Sequence, residues 1–127
     1  MDFMRDCSCL EFSRQLASGA PTPGGGGASA LAGALGAALG GMVAELTRGT
    51  NKYAAVQDDI DRLACRAEML REQLLDLVRQ DAEAFEPLAA AYRLPRATME
   101  EGIKKAVVME KALYGACLTS LEIMRVS

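Results

Sequence analysis

The chain has 127 residues, a length that suits a single domain over residues 1–127, and half of them are hydrophobic while only 5% are aromatic. This composition favours a core of closely packed helices over a sheet, which prefers β-branched and aromatic residues. The net charge is −3 and the two signs are mixed along the chain, which argues against a nucleic-acid-binding surface. The chain has no histidine, and so lacks the commonest metal ligand and general acid–base.

The first predicted element is a short amphipathic helix at residues 8–18, with Leu10, Phe12 and Leu16 on or near one face. Charged residues before it interrupt any apolar start, so no secretory signal is predicted and a cytoplasmic location is expected. In that compartment the four cysteines are expected to be reduced, and their spacing is poor for zinc, so no metal site is predicted.

A proline- and glycine-rich stretch follows at residues 19–27. Pro21, Pro23 and four consecutive glycines predict that it lies outside any helix. Bare glycine lets a ligand approach the backbone closely, and the start of the next helix adds partial positive charge, so this stretch is a candidate binding site. A flexible linker is the alternative. The shortness of the stretch and its two prolines argue against the linker.

The second helix is predicted from about Ala28 to about Thr47 and consists mostly of alanine, glycine and leucine. Its Gly36-x-x-x-Gly40 spacing lets another helix approach closely, either from the same domain or from a second subunit. The uncharged run at residues 28–44 has 17 residues, fewer than the ~20 that a bilayer requires. A buried helix of a soluble protein is therefore favoured over a membrane span.

The third helix is predicted to begin near Asn51, and Pro87 is predicted to kink or restart it before Pro95 ends it. Its residues at alternating steps of three and four form an apolar stripe, typical of a long helix packed at a shallow angle. The members of the stripe are Tyr53, Val56, Ile60, Leu63, Ala67, Leu70, Leu74, Leu77, Asp81, Ala84 and Leu88.

Asp81 is the one charged residue on this apolar stripe. Burial there would raise the pKa of its carboxyl group and make it a candidate acid–base or the counter-charge of a cationic substrate. The alternative is that Asp81 lies on the flank of the stripe, beside the buried row, and has no chemical role. An ideal helix drifts about 20° per heptad, which would pass the buried row to Val78 and Phe85. Periodicity leaves both interpretations open.

The last helix is predicted to begin with a capping box, Thr98-x-x-Glu101. Its predicted inward-facing residues are Ile103, Val107, Leu113, Cys117, Leu121 and Met124. The fold class is therefore all-α, with the second, third and last helices packed as an antiparallel bundle. These helices offer more apolar surface than one short chain can cover, so a homodimer is expected.

Four segments together resemble a known family: "PTPGGGGASALAGALGAAL", "NKY", "DAEAF" and "AAYRLP". They are similar to the cyclodeaminase/cyclohydrolase family of folate enzymes, over about residues 8–125. The resemblance implies an all-helical dimer that acts on tetrahydrofolate carrying a one-carbon unit, with no covalently bound cofactor. Cyclodeaminases of the family close a formimino group to the methenyl ring, and cyclohydrolases open that ring with water.

The resemblance also assigns roles to residues of this chain. It implies that Asp81, in "DAEAF", is the catalytic carboxylate and that Gly24, Gly25, Gly26 and, less surely, Gly27 line the folate site. Lys52 is our choice for the cation that meets the anionic glutamate tail of folate. A carboxylate such as Asp81 beside the methenyl cation would stabilise its charge.

The chain departs from the family pattern in three places, one of which is the last helix, where "VVMEK" stands without the proline that is common there. The family usually has serine or another small residue where Gly27 stands, and it continues into a further segment that helps to build the folate cleft. We therefore expect this sequence to lack that C-terminal part. A catalytically silent helical dimer that serves as a binding or interaction module is the alternative function, and a membrane-associated helical hairpin ranks last.

Overall fold

A computed structural model describes residues 3–127, and every regular element in that range is a helix. Two short helices, α1 (Phe3–Asp6) and α2 (Cys9–Leu16), precede three long ones: α3 (Gly25–Thr47), α4 (Gln57–Tyr92) and α5 (Met99–Val126). A 3₁₀ helix (Asn51–Val56) joins α3 to α4. The all-α prediction is confirmed. The predicted domain over 1–127 extends two residues beyond the described range and stays a prediction.

The central helix is α4, and α3 and α5 both pack on it in antiparallel orientation. Three glycines of α3, about two turns apart, face successively earlier residues of α4: Gly26 faces Asp81, Gly33 faces Leu74, and Gly41 faces Ala67. Because glycine has no side chain, the backbone of α3 lies directly against the side chains of α4. This close approach determines what lies next to Asp81.

Of the two predicted neighbours of Gly36 and Gly40, a helix of the same domain is wrong for the described chain, and a helix of a second subunit stays a prediction. A Cβ added at either position would meet open space, so neither glycine contacts another helix of this chain. Every face of α3 is apolar, and its pattern of residues therefore does not reveal which face packs. The face opposite α4 is apolar and exposed through Leu35, Leu39, Met42, Val43 and Leu46, a set that we call the outer face of α3.

Two buried clusters hold the helices together. The larger one consists of Phe12, Ala30, Ala34, Leu74, Leu77, Val78 and Ile123. The smaller one joins α4 to α5 and consists of Leu88, Ala91 and Ala112. The predicted stripe is therefore buried in its middle, and Val78 joins it as the drift of an ideal helix requires. At its start Tyr53 and Val56 are exposed, because the chain there forms the 3₁₀ helix.

Several predicted boundaries hold and others are wrong. The capping box is confirmed: the Thr98 hydroxyl accepts the Glu101 amide, and the Glu101 carboxylate accepts the Thr98 amide. Of the two outcomes predicted at Pro87, the restart is wrong, because α4 continues through this residue to Tyr92, and the kink stays a prediction. Proline has no N–H, so the Glu83 carbonyl lacks its usual donor in the helix. Glu83 and Pro87 are exposed, and water can therefore reach that carbonyl.

The predicted inward row of α5 is also wrong. Ile103, Val107, Leu113, Cys117, Leu121 and Met124 are all exposed in the single chain. The buried residues are Ala112 and Ile123 instead. Packing of α5 is mainly against α4, so only a narrow strip of its surface is covered and the larger apolar residues lie beside that strip.

The start of α3 also differs from the prediction, and this affects the membrane argument. The helix begins at Gly25, three residues before the predicted Ala28, and has 23 residues. By length and composition it could cross a membrane, so the argument from a run of 17 residues no longer applies. A mostly buried core helix of a soluble protein passes the same test, whereas α3 buries Ala30, Ala34 and Ala44 and leaves its outer face exposed in the single chain. The absence of a membrane span stays a prediction.

Candidate functional site

A cavity of about 380 Å³ lies where the start of α3 meets α4 and α5. Its lining consists of Pro21, Thr22, Gly24, Gly25 and Gly26, then Asp81, Phe85 and Leu88 of α4, and Leu113, Ala116, Cys117 and Ser120 of α5. The volume is near the lower end of the range for small-molecule sites, about 300–1,000 Å³. The lining residues show that one wall, formed by the glycines, is polypeptide backbone and that the other walls are mostly apolar.

The backbone wall is the N-terminal end of α3. Gly24 is the N-cap residue in an extended conformation, with no side chain to bond the first amides, and Gly25–Gly27 form the first turn. The first intrahelical bond at this end joins the Ala28 amide to the Gly24 carbonyl, 3.0 Å apart. The amides before Ala28 have no partner within the helix, and the helix dipole adds partial positive charge there.

Asp81 supplies the acceptor that the N-cap glycine lacks. Its carboxylate accepts a hydrogen bond from the Gly27 amide, across the junction between α4 and α3. Burial raises the pKa of the Asp81 carboxyl above its ordinary value of 3.8, and the bond from Gly27 opposes this only in part. The carboxyl group therefore holds a proton more readily than a surface aspartate does, which suits a group that exchanges protons with a ligand.

The position of Asp81 combines the two interpretations that its sequence left open. The side chain is half-buried, beside the buried row of Leu77 and Val78 rather than within it. It is therefore on the flank of the stripe, as helix drift predicts. That flank faces the cavity and the glycines, so the carboxylate lies against the helix start and not on an open surface.

The four glycines meet different neighbours. A Cβ added at Gly26 would lie 2.7 Å from Cγ and 2.9 Å from Oδ2 of Asp81, closer than atoms can pack. At Gly25 an added Cβ would meet nothing within 4 Å, and at Gly24 only the Pro21 carbonyl oxygen at 3.9 Å. At Gly27 the contacts would be ordinary, so a small side chain fits there, as the family pattern has it.

The structure does not bring Lys52 to this cavity. Lys52 lies in the 3₁₀ helix after the C-terminal end of α3, with its ammonium 5.3 Å from the centre of the Tyr53 ring. The glycines lie at the other end of α3, about 35 Å away along a 23-residue helix. Within one chain Lys52 therefore lies too far away to meet a ligand in this cavity. None of the described residues that line the cavity is a lysine or an arginine.

Sequence reasoning missed part of the lining. Phe85 follows Asp81 by one turn and shares its face of α4, a relation that i,i+4 spacing could have revealed. Leu113 and Cys117 were expected in the core, but they form the wall of the cavity that α5 contributes. Within residues 3–127 no three acidic, cysteine or histidine side chains come together as a metal site would require.

Comparison with known proteins adds independent information. Residues 8–127 match the family model described as formiminotransferase-cyclodeaminase. A methenyltetrahydrofolate cyclohydrolase of Methylorubrum extorquens is 45% identical over 115 residues, which are 91% of this chain and 55% of that protein. The formimidoyltransferase-cyclodeaminase of Mus musculus is 33% identical over 118 residues, which are 93% of this chain and 22% of that protein.

A solved structure resembles the fold closely. The crystal structure of formiminotetrahydrofolate cyclodeaminase from Thermotoga maritima superimposes with a TM-score of 0.78 at 33% identity. The match covers 95% of this chain and 56% of that one. The chain thus spans about half the length of the cyclohydrolase and of the solved structure that it matches.

Proposed function

The chain belongs to the formiminotransferase-cyclodeaminase family, and on that basis we propose that it acts on a one-carbon derivative of tetrahydrofolate, as a methenyltetrahydrofolate cyclohydrolase. The observation that carries the proposal is the cavity in which the half-buried Asp81 carboxylate lies on the amide-rich start of α3. The 45% identity to a cyclohydrolase, against 33% to a cyclodeaminase, supports hydrolysis as the reaction.

The electrostatics of the cavity suit a flat cation. Asp81 is the one charged group among the described residues that line it, and Phe85, Leu88 and Leu113 provide apolar surface for a ring. The fused ring system of methenyltetrahydrofolate carries one positive charge, shared by N5, the methenyl carbon and N10, which a nearby carboxylate stabilises. The glutamate tail of folate is anionic and finds no cation in this cavity, so its recognition requires residues outside the lining.

The proposed hydrolysis uses Asp81 as a proton carrier. Water attacks the methenyl carbon, and its oxygen forms the new C–O bond while one of its protons passes to the carboxylate. The bond from that carbon to N5 then breaks, and N5 takes the proton from Asp81. The remaining hydroxyl proton leaves to solvent as the formyl C=O forms, so that the products are 10-formyltetrahydrofolate and one proton. The raised pKa of Asp81 favours both transfers.

Cyclodeamination is the second candidate, because the solved relative is described as a formiminotetrahydrofolate cyclodeaminase. In that reaction N10 attacks the formimino carbon, and the proton of N10 passes to the imino nitrogen. The methenyl ring closes as this nitrogen leaves as ammonia with a second proton, which Asp81 is placed to donate. The same carboxylate and the same cation would be involved. The two reactions therefore differ in the substrate supplied and not in the residues required.

The deciding experiment follows the absorbance of methenyltetrahydrofolate, with formiminotetrahydrofolate as a second substrate. A cyclohydrolase speeds the loss of the methenyl signal, whereas a cyclodeaminase produces that signal from the formimino compound and releases ammonia. A titration with 5-formyltetrahydrofolate reports binding separately. If the protein shows neither turnover nor binding, the proposal is refuted and a silent helical module is favoured.

A further inference from the structure

The contact between Gly26 and Asp81 sets this glycine apart from its neighbours. The position that a side chain would occupy at Gly26 is filled by the carboxyl group of Asp81. Gly25, one residue earlier in the same helical turn, has open space there. The glycine run is therefore not uniform: Gly25 leaves backbone free toward the cavity, whereas Gly26 accommodates a side chain from another helix.

We propose that Gly26 is a positioning residue for Asp81, whose carboxylate occupies the space left by the missing side chain and is thereby held on the first turn of α3, at the edge of the cavity. The proposal deepens the proposed function, since it concerns how the suggested acid–base group is held. It gives Gly26 a role through Asp81 in addition to the ligand contact expected from the sequence, since Gly26 also lines the cavity.

The geometry leaves little room for another arrangement. Non-bonded carbon atoms pack best about 3.5–4.0 Å apart, and a Cβ at Gly26 would lie 2.7 Å from the carboxyl carbon of Asp81. Both residues lie within long helices that pack on each other, so neither backbone can easily retreat. Relief must therefore come from the Asp81 side chain, whose carboxylate has to turn away from its position against the first turn of α3.

Leaving that position has two consequences for Asp81. The carboxylate loses the hydrogen bond from the Gly27 amide, and it moves toward water. Burial is the larger of the two influences on the pKa of Asp81, so its pKa is expected to fall toward 3.8. The start of α3 also loses the acceptor that Gly24 cannot provide, which destabilises the helix end.

A double-mutant cycle on the full chain tests the proposal without folate. Gly26→Ala and Asp81→Ala are made singly and together, and Gly25→Ala serves as the matched control. We expect Gly26→Ala to lower the urea midpoint when Asp81 is present and to leave it unchanged or raise it in the Asp81→Ala background. Gly25→Ala should leave it unchanged or raise it in both backgrounds, because alanine favours a helix over glycine.

The carboxyl pKa of Asp81, followed by ¹³C NMR, is the second readout. It should fall in Gly26→Ala and stay constant in Gly25→Ala. Equal loss of stability in both backgrounds, or an unchanged pKa, would overturn the proposal. If Gly26→Ala alone does not fold, recovery of folding with Asp81→Ala supports the proposal, and continued failure overturns it. If the protein does not turn over folate but the double-mutant cycle gives the expected coupling between Gly26 and Asp81, only the proposed function is refuted.

Discussion

Replacing Asp81 by asparagine tests the proposed chemistry with the smallest structural change. Asparagine has the shape of aspartate, and its side-chain oxygen can still accept the hydrogen bond from the Gly27 amide. The substitution removes the negative charge and the ability to carry a proton. Any loss of activity would then reflect electrostatics and proton transfer and not a displaced helix.

The expected size of the effect follows from these two losses. Loss of a positioned acid–base group costs about 10²–10⁴-fold in rate. Opposite unit charges 4 Å apart attract by about 1 kcal/mol in water and about 4 kcal/mol at an effective dielectric constant of 20. Asp81 is half-buried, so a value near 2 kcal/mol applies, or about 30-fold in affinity for the methenyl cation. Affinity for 5-formyltetrahydrofolate, whose ring is neutral, should change much less.

The assay is the loss of methenyl absorbance, with Asp76→Asn as the matched control. Asp76 lies on the same helix and accepts hydrogen bonds from Gln80 and Arg79, but it does not line the cavity. We expect the rate to fall at least 100-fold in Asp81→Asn and to stay near the native value in Asp76→Asn. A rate within tenfold of native in Asp81→Asn, or an equal fall in the control, would refute the reasoning.

The raised pKa of Asp81 also predicts how stability depends on pH. Burial favours the protonated carboxyl in the folded state, so the folded protein binds this proton more tightly than the unfolded chain does. The resulting stability is fully present below pH 3.8 and is lost as pH rises through the folded pKa. Asp81→Asn removes this loss. Its urea midpoint should therefore rise relative to native as pH increases, and a constant difference would contradict a raised pKa.

Three further predictions concern the cavity, the core and assembly. Gly25→Val adds bulk where the structure is open to the cavity, so 5-formyltetrahydrofolate should bind at least tenfold more weakly by calorimetry. The urea midpoint should be nearly unchanged. An affinity equal to that of the native protein would show that Gly25 is not part of the site. Leu74→Ala empties a core position that is 2% exposed and should lower the free energy of unfolding by about 2–5 kcal/mol; a loss below about 1 kcal/mol would show that this core collapses around the gap. The exposed outer face of α3 predicts at least a dimer in light scattering, and a monomer at micromolar concentration would contradict it.

Local signals in the sequence were sufficient for much of the fold. The capping box at Thr98 and Glu101 depends on residues three apart, so its hydrogen bonds form wherever that helix lies. The stripe on α4 is readable because its apolar residues contrast with charged neighbours, and the same contrast singled out Asp81. Helix content and the candidate carboxylate thus follow from residues that lie close together in the chain.

Only the tertiary structure decided how the helices face one another. Among the glycines of α3, Gly26 and Gly33 contact α4 while Gly36 and Gly40 do not, although their local sequences are alike. The first turn of α3 includes glycines that local propensity assigns to a loop. This turn contacts Asp81, which lies more than fifty residues later in the chain. The physical reason is that α3 is apolar on all its faces, so the alternation of polar and apolar residues that marks a buried face in other helices is missing. Its orientation is therefore set by the shape of the helix against which it packs.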